Sequence, residues 1–295
     1  MSSYLESSAR ERVQRLFDAG RFEEFLPPVV SPHLAQLGVT AAPGDGVVIG
    51  RGQLDGANVL AASQDGQFMG GAVGEVHGAK LVGLLRRALT ERPHALLLLL
   101  ESGGARLHEA NASMIAISEV MRALLDVRAA GIPVIVLIGG ANGAFGGIGL
   151  IARCANAIVI AEGGRLAMSG PKVIETASGL AEFDSRDRAL VWRTTGARHR
   201  YLLGDCQAIV PDSMAAFRQG ALDAMATAHG AKVELTLDAL EREHRMLAER
   251  ISICGTGTDP ADIWRALGIE QPAALPTQEL GSFLAMADGH RLGAQ

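Results

Sequence analysis

The chain has 295 residues, 48% of them hydrophobic and 20% charged, with a net charge of −5. Such a chain buries a full core, as one large α/β domain or two small ones, and is not disordered. Without a long basic run, that charge gives no electrostatic basis for nucleic-acid or membrane binding.

No apolar run approaches a membrane span, and the polar stretch from Met1 to Arg15 lacks a signal-peptide core, so a cytoplasmic location is expected. Cys154, Cys206 and Cys254 are isolated, which argues against a disulfide framework or a CxxC metal site. Aromatics are scarce at 4% and glycine is abundant at 36 residues. Small residues of this kind suit close packing and subunit contact.

Residues 5–26 read as a charged helix stopped by Pro27-Pro28. A glycine- and proline-rich lead-in follows, in which 47–51 and 58–64 are expected to pair as antiparallel strands. Phe68-Met69-Gly70-Gly71 then leads into a helix over 75–90. Pro93, five consecutive leucines (Leu96 to Leu100) and a glycine pair bound a strand over 95–100. An unbroken apolar run this short is the pattern of a strand buried on both faces of a covered parallel sheet. The helix after it carries Leu107, Ala110, Met114, Ile117, Met121 and Leu124 at 3–4 spacing, one buried stripe.

A second unit repeats the plan: strand 134–138, a glycine-rich turn over 139–147, helix 146–155 and strand 157–161. One more strand is expected over 165–169. Pro171 opens a short helix, where its missing N–H costs nothing. Asp184 or Ser185 is expected to cap a helix running toward Leu203, followed by a strand over 208–210. Helices are expected over 212–229, 236–251 and 259–267, and the tail after Gln271 has weak periodicity. The organisation reads as a lead-in over 1–56, a main domain over 57–270 and a tail over 271–295.

Both glycine turns lie where a strand gives way to a helix, a geometry that leaves backbone N–H groups able to hold an anion or a developing oxyanion. A plain tight turn, with glycine chosen for close packing, explains either turn alone. The two together point to acyl chemistry run by backbone amides. The candidate donors are Gly103, Gly104, Ala105, Gly146 and Gly147. An enolate beside a thioester, formed as a carboxyl group is lost or gained, is what such donors stabilise, and losing one typically costs about 2.7–4 kcal/mol.

Candidate substrate contacts are Phe68, Gly70 and Gly71, as an acyl pocket or else a core loop, and Ser102 and Arg106. Arg106 either clasps a substrate carboxylate or pairs with Glu109 at i,i+3. His108 is a possible proton donor, although a histidine here more often packs or faces solvent. Ser102 has no His/Asp partner at recognisable spacing and no Gly-x-Ser-x-Gly, which argues against a hydrolase nucleophile. Met114, Met121 and Met168 read as core or interface filling.

Several segments, in order, resemble the carboxyltransferase branch of the crotonase superfamily. They are Phe68-Met69-Gly70-Gly71; Ser102-Gly103-Gly104-Ala105-Arg106 with Glu109; the turn at 139–147; Gly170-Pro171-Lys172-Val173-Ile174-Glu175; and Leu202-Leu203-Gly204 with Ala208-Ile209-Val210. Within that branch the chain looks more like biotin-independent malonate decarboxylase β subunits than the β-type carboxyltransferase subunits of acetyl-CoA carboxylase. The latter carry a four-cysteine zinc ribbon ahead of this domain, and the first fifty residues here hold no cysteine. Ala144-Phe145-Gly146-Gly147 also departs from the carboxylase pattern.

The resemblance implies a spiral of ββα units with flanking helices, and an active site shared with a homologous γ subunit. It implies no metal and no biotin. The substrate would be a malonyl thioester, on the CoA-like phosphopantetheine group of an acyl-carrier protein subunit, decarboxylated to the acetyl thioester. Two rivals remain open: a biotin-dependent carboxyltransferase subunit, and a non-catalytic scaffold of the same fold.

Overall fold

A computed structural model describes residues 2–229, 236–255 and 259–292. Its centre is a seven-stranded sheet in sequence order: β1 (Glu23–Glu24), β2 (Val47–Leu54), β3 (Ala57–Gln64), β4 (Ala95–Leu100), β5 (Val134–Ile138), β6 (Ala157–Ala161) and β7 (Ala208–Val210). The first three strands pair antiparallel and β3 to β7 run parallel. The leucine run has a two-sided use. Leu96, Leu98 and Leu100 enter the core on one face of the sheet, and Leu97 and Leu99 enter the core on the other, as a period of two requires.

The first face is covered by α2 (Glu75–Glu91), α3 (Asn111–Ala129) and α4 (Gly147–Arg153), through Leu81, Leu84, Leu85, Ile117, Leu124 and Ile148. The second is covered by α1 (Ala9–Leu16) and, much later in the chain, α8 (Met214–Ala228), through Val13, Leu16, Phe217 and Met225. Between them come α5 (Pro171–Ser178), α6 (Arg188–Thr195) and α7 (Ala197–Leu202). The chain continues with α9 (Leu237–Cys254), α10 (Pro260–Ala266) and α11 (Leu280–Ala287). No helix among the described residues is long and apolar enough to cross a membrane.

Several expectations need correction. The charged helix is only α1, set by a capping box between Ser8 and Glu11. The chain then turns at Gly20, φ +68°, to bring Glu23 and Glu24 against Arg51 and Gly50 of β2. Residues 165–169 form isolated bridges rather than a strand, since Leu166 pairs with Ala144 and Arg165 with Gly196. The helix toward Leu203 is two helices. Asp187 caps α6, and Gly196 is extended (φ −75°, ψ 160°), with Trp192 O only 2.3 Å from where a Cβ would sit.

The buried stripe of α3 is rotated from the one expected. Ser113, Ile117, Val120, Leu124 and Val127 face inward, while Leu107 and Met114 are exposed. The reason is that the helix begins at Asn111, after a 3-10 turn at Leu107–Glu109 and a backbone break at Ala110 (φ 46°, ψ −123°). The tail is ordered through α11, where buried Phe283 meets Tyr201 edge-on at 6.2 Å.

Candidate active site at two touching turns

β4 and β5 are parallel neighbours with Leu100 opposite Ile138, so both glycine turns leave the same edge of the sheet. They meet backbone to backbone. A Cβ on Gly104 would lie 3.3 Å from Gly146 Cα, and one on Gly146 would lie 3.2 Å from Gly104 Cα. At this contact only glycine fits without displacing main chain.

The first turn is held by a buried polar network. Glu101 opens it and receives Arg12 Nη1 at 2.5 Å and the N–H of Asn142 at 3.3 Å. Its carboxyl group fills the space beside Gly140, where a Cβ would lie 2.1 Å from the carboxyl carbon. Ser102 is fully buried; its hydroxyl accepts from Gly104 N at 3.0 Å, and its own N–H donates to Gly143 O. That binds Ser102 into the turn and leaves it no role as a substrate contact.

Arg106 is likewise enclosed. Its Nη1 donates to both Asp45 oxygens at 2.9 and 3.0 Å and to Glu109 at 3.0 Å, and its Nη2 reaches Ala72 O at 3.2 Å. The three side chains are 0%, 0% and 3% exposed. The guanidinium thus faces the fold's own carboxylates, with Nε buried and without a partner among the described residues, and of its two expected roles the ion pair is the one formed. The pairing with Glu109 forms, together with an unforeseen one to Asp45. One guanidinium serves two carboxylates, and the N–H groups of His77 and Glu75 supply Asp45 and Glu109 with further donors, which makes burial of the triad tolerable.

His77 joins the two halves of the network. One ring nitrogen lies 3.0 Å from Gln64 Nε2 and the other 3.2 Å from Asp45 O, while Gln64 Oε1 accepts the N–H of Glu101. These contacts fit a neutral ring that donates from Nδ1 and accepts at Nε2. Burial, with Arg106 and Lys80 adding to it, pushes the His77 pKa down to about 3.

The loop before α2 supports the first turn from below. Gly103 N donates to Gly70 O at 2.9 Å, and Gly71 lies so close that a Cβ would come 1.8 Å from Glu101 O. Phe68 lies over Arg106, 5.2 Å from the guanidinium carbon to the ring centroid. Phe68, Gly70 and Gly71 thus sit beside the turn and pack it. His108 is exposed to solvent.

The fate of each backbone donor separates the candidates. Gly103 N is taken by Gly70 O, Gly104 N by the Ser102 hydroxyl, and Gly146 N by Met168 O at 2.9 Å. These three are removed as ligand donors. Val73 N pairs with Gly104 O and Arg106 N with Val73 O, an arrangement that turns the intervening Ala105 N–H away from the bridge. Ala105 and Gly147 donate no backbone hydrogen bond among the described residues. Gly147 N lies 3.7 Å from the Cβ position on Gly104, and Gly147 is the first residue of α4, where the helix dipole favours negative charge. Both residues are half-exposed. Ala105 and Gly147 thus each follow one of the two glycines in contact, Gly104 and Gly146.

The surroundings of the pair are open and apolar. Leu107 and Leu150 stand exposed within a turn of chain from the two donors, and Met168, whose carbonyl accepts the Gly146 N–H, is exposed as well. Sequence reasoning missed Arg12, Asp45 and His77. The Gly44-Asp45-Gly46 turn and the position of Arg12 on the apolar side of α1, between Ala9 and Val13, are the signals for Asp45 and Arg12, and no sequence signal singles out His77.

Residues 6–217 match the carboxyl transferase domain. The malonyl-S-ACP:biotin-protein carboxyltransferase of Malonomonas rubra is 37% identical over 97% of this chain and 95% of its own length. The acetyl-coenzyme A carboxylase carboxyl transferase subunit beta of Fusobacterium nucleatum is 32% identical over 58% of this chain and 59% of its own. Among solved structures, a chain of a Pseudomonas malonate decarboxylase hetero-tetramer in complex with malonate superposes with a TM-score of 0.81 at 36% identity, covering 90% of this chain and 97% of that one. The fold is that of the crotonase-like carboxyltransferases, and this chain belongs to the carboxyl transferase family, alongside malonate decarboxylase subunits.

Proposed function

We propose that this chain is a catalytic subunit that decarboxylates a malonyl thioester to the acetyl thioester. The observation that carries the reading is the pair of unpartnered N–H groups, Ala105 and Gly147, on two turns that touch at Gly104 and Gly146. With the thioester carbonyl oxygen between them, the bond from C2 to the carboxylate breaks and CO2 leaves. The electron pair passes into the C1–C2 bond and charge collects on the oxygen. A proton added at C2 completes the acetyl group. The donors act mainly on the enolate, whose oxygen carries more charge than the ground-state carbonyl. The thioester would be carried by the phosphopantetheine arm of an acyl-carrier subunit, with neither biotin nor metal taking part.

The exposed apolar rim suits a protein partner that closes the site and excludes water, which strengthens both donors. Solved Pseudomonas relatives are a hetero-tetramer and a hetero-dimer, and a homologous γ subunit is the partner proposed here.

Gly147→Pro removes one donor at a first helical position that tolerates proline. Gly147→Ala introduces the same contact with Ile117 but keeps the N–H. In the reconstituted complex the proline variant is expected to lose about 10²–10³ in kcat and the alanine variant far less. Equal turnover of the proline variant and wild type, with assembly intact, refutes the reading and leaves a scaffold.

A second reading has its own support. The Malonomonas relative is described as acting on a biotin-protein, so carboxyl transfer to a biotin carrier is the alternative fate of the same carboxyl group. Turnover abolished by avidin selects it; avidin-insensitive release of CO2 selects decarboxylation.

A further inference from the structure

On the far side of the second turn, a cavity of about 360 Å³ opens outside the carboxyl ends of β5 and β6, the place where ligands bind in open α/β sheets. Gly140 and Ala141 beyond β5 and Gly163 beyond β6 lie on its wall, and none of them donates a backbone hydrogen bond among the described residues. Gly140 is buried, and a buried N–H without an acceptor is rare unless something outside the chain supplies one.

Two arginines reach the same cavity. Arg165 stacks near Phe145 and Trp192, at 5.7 and 5.5 Å, and touches the Ala141 carbonyl, with no ion pair among the described residues. Burial alone pulls its pKa down. Arg188, at the start of α6, makes no ion pair or hydrogen bond among the described residues. The one acidic side chain on the wall, Asp212, is occupied by the N-terminal segment. It accepts from the Tyr4 and Leu5 N–H groups at 3.0 and 2.9 Å and from the Ser3 hydroxyl at 2.5 Å. Those donors orient the Asp212 carboxylate away from both arginines without cancelling its charge, so two guanidinium groups and one carboxylate leave the wall net positive.

We infer that this cavity binds a phosphate ester on a flat organic body, held by Arg165, Arg188 and the free amides of Gly140, Ala141 and Gly163. The donors outnumber the two oxygens of a carboxylate and suit the three terminal oxygens of a phosphate monoester. Trp192, Val191, Pro171 and Leu5 form an apolar wall that inorganic phosphate would leave uncovered. Two sources share this chemistry: a free nucleotide, and the phosphate-bearing handle of a thioester substrate. The site stands or falls independently of the reaction proposed above, because binding is read without turnover.

The test uses the full chain with its co-purifying partners, with ADP, inorganic phosphate and adenosine as probes. Of the two tryptophans, Trp192 is 37% exposed and Trp264 only 1%, so a change in fluorescence and in quenching by acrylamide reports on the cavity. ADP is expected to bind saturably and shield Trp192, inorganic phosphate to bind more weakly, and adenosine not at all. Arg188→Glu, on the surface, should weaken ADP about tenfold or more without moving Tm. A parallel rise in KM for malonyl-CoA at constant kcat assigns the site to the substrate handle, and an unchanged KM assigns it to a free nucleotide. ADP that does not bind, binds no better than phosphate, or binds Arg188→Glu as tightly as wild type overturns the inference.

Discussion

The two glycine turns leave neighbouring strands and touch each other, yet they are held by opposite means. Charged side chains fix the first: Arg12 on Glu101, and Arg106 between Asp45 and Glu109, all buried. Main chain fixes the second. Ala144 donates to Arg165 O, Ala167 to Ala144 O and Gly146 to Met168 O. In both turns the amides around one N–H are taken by main-chain carbonyls or, at Gly104, by the Ser102 hydroxyl, which leaves that one free. The comparison teaches that presenting a single donor is a matter of occupying its neighbours, and that the turn so shaped can be held in place by a buried ion network or by a pair of bridged loops. They should differ in how they fail.

The largest difference should come from removing the charge at the centre of the first network. Arg106→Ala leaves Asp45 and Glu109 buried and unpaired, and such a change is expected to cost about 3–5 kcal/mol of folding stability. Urea unfolding of the isolated chain measures it. A loss under about 1 kcal/mol would mean that the triad is not the support described here.

Acid should act on the first turn in the same sense. His77 is neutral in the fold, with a pKa near 3, and takes a proton at about 6.5 once unfolded. Its folded pKa is depressed, so its contribution is complete above about pH 6.5. Below that the unfolded state binds the extra proton, and stability falls by about 1.4 kcal/mol per pH unit. His199, beside Trp264 on α7, is also held near 3 by burial and adds an equal slope. His77→Gln should remove one of the two proton-linked slopes between pH 6 and 4. An unchanged slope would show that His77 does not titrate on unfolding.

The second turn should respond to backbone strain instead. Gly143 has φ +67°, and a Cβ there would lie 2.7 Å from Arg165 O. Gly143→Ala is expected to cost about 1–3 kcal/mol and to loosen residues 165–168, read as faster amide exchange at Ala144, Gly146 and Ala167. Exchange confined to the first turn would contradict the division between the two.

Much of this fold was legible because strand signals are local. The spans of β4, β5 and β6 follow directly from apolar runs bounded by glycine and proline, since burial on both faces demands an unbroken run. The site was legible only to the resolution of a turn. That Ala105 rather than Gly104 keeps its hydrogen free depends on a serine hydroxyl two residues back and on a bridge to Val73. Asp45 lies 61 residues from Arg106, a pairing that no periodicity announces. Arg165 to Ser169 has the composition of a strand, but its partners are single bridges to two loops, and only tertiary packing decides that.

The smallest effect on folding should come from the apolar rim, and it sharpens the comparison where the two turns act together. Leu107, beside the first turn, is 75% exposed, and Met168, beside the second, is 69% exposed. Leu107→Asp and Met168→Asp should each change the stability of the isolated chain by no more than about 0.5 kcal/mol, because both side chains are mostly exposed. If a partner closes over both turns, each variant should weaken the complex, by about 1.5–3 kcal/mol for a fully buried side chain, and turnover should recover at high partner concentration. Equal loss from both variants places the partner across the junction of Gly104 and Gly146. Loss from only one confines it to that turn, and the other N–H must then meet the substrate from an open side. Assembly unaffected by either charge would remove this face as the subunit contact.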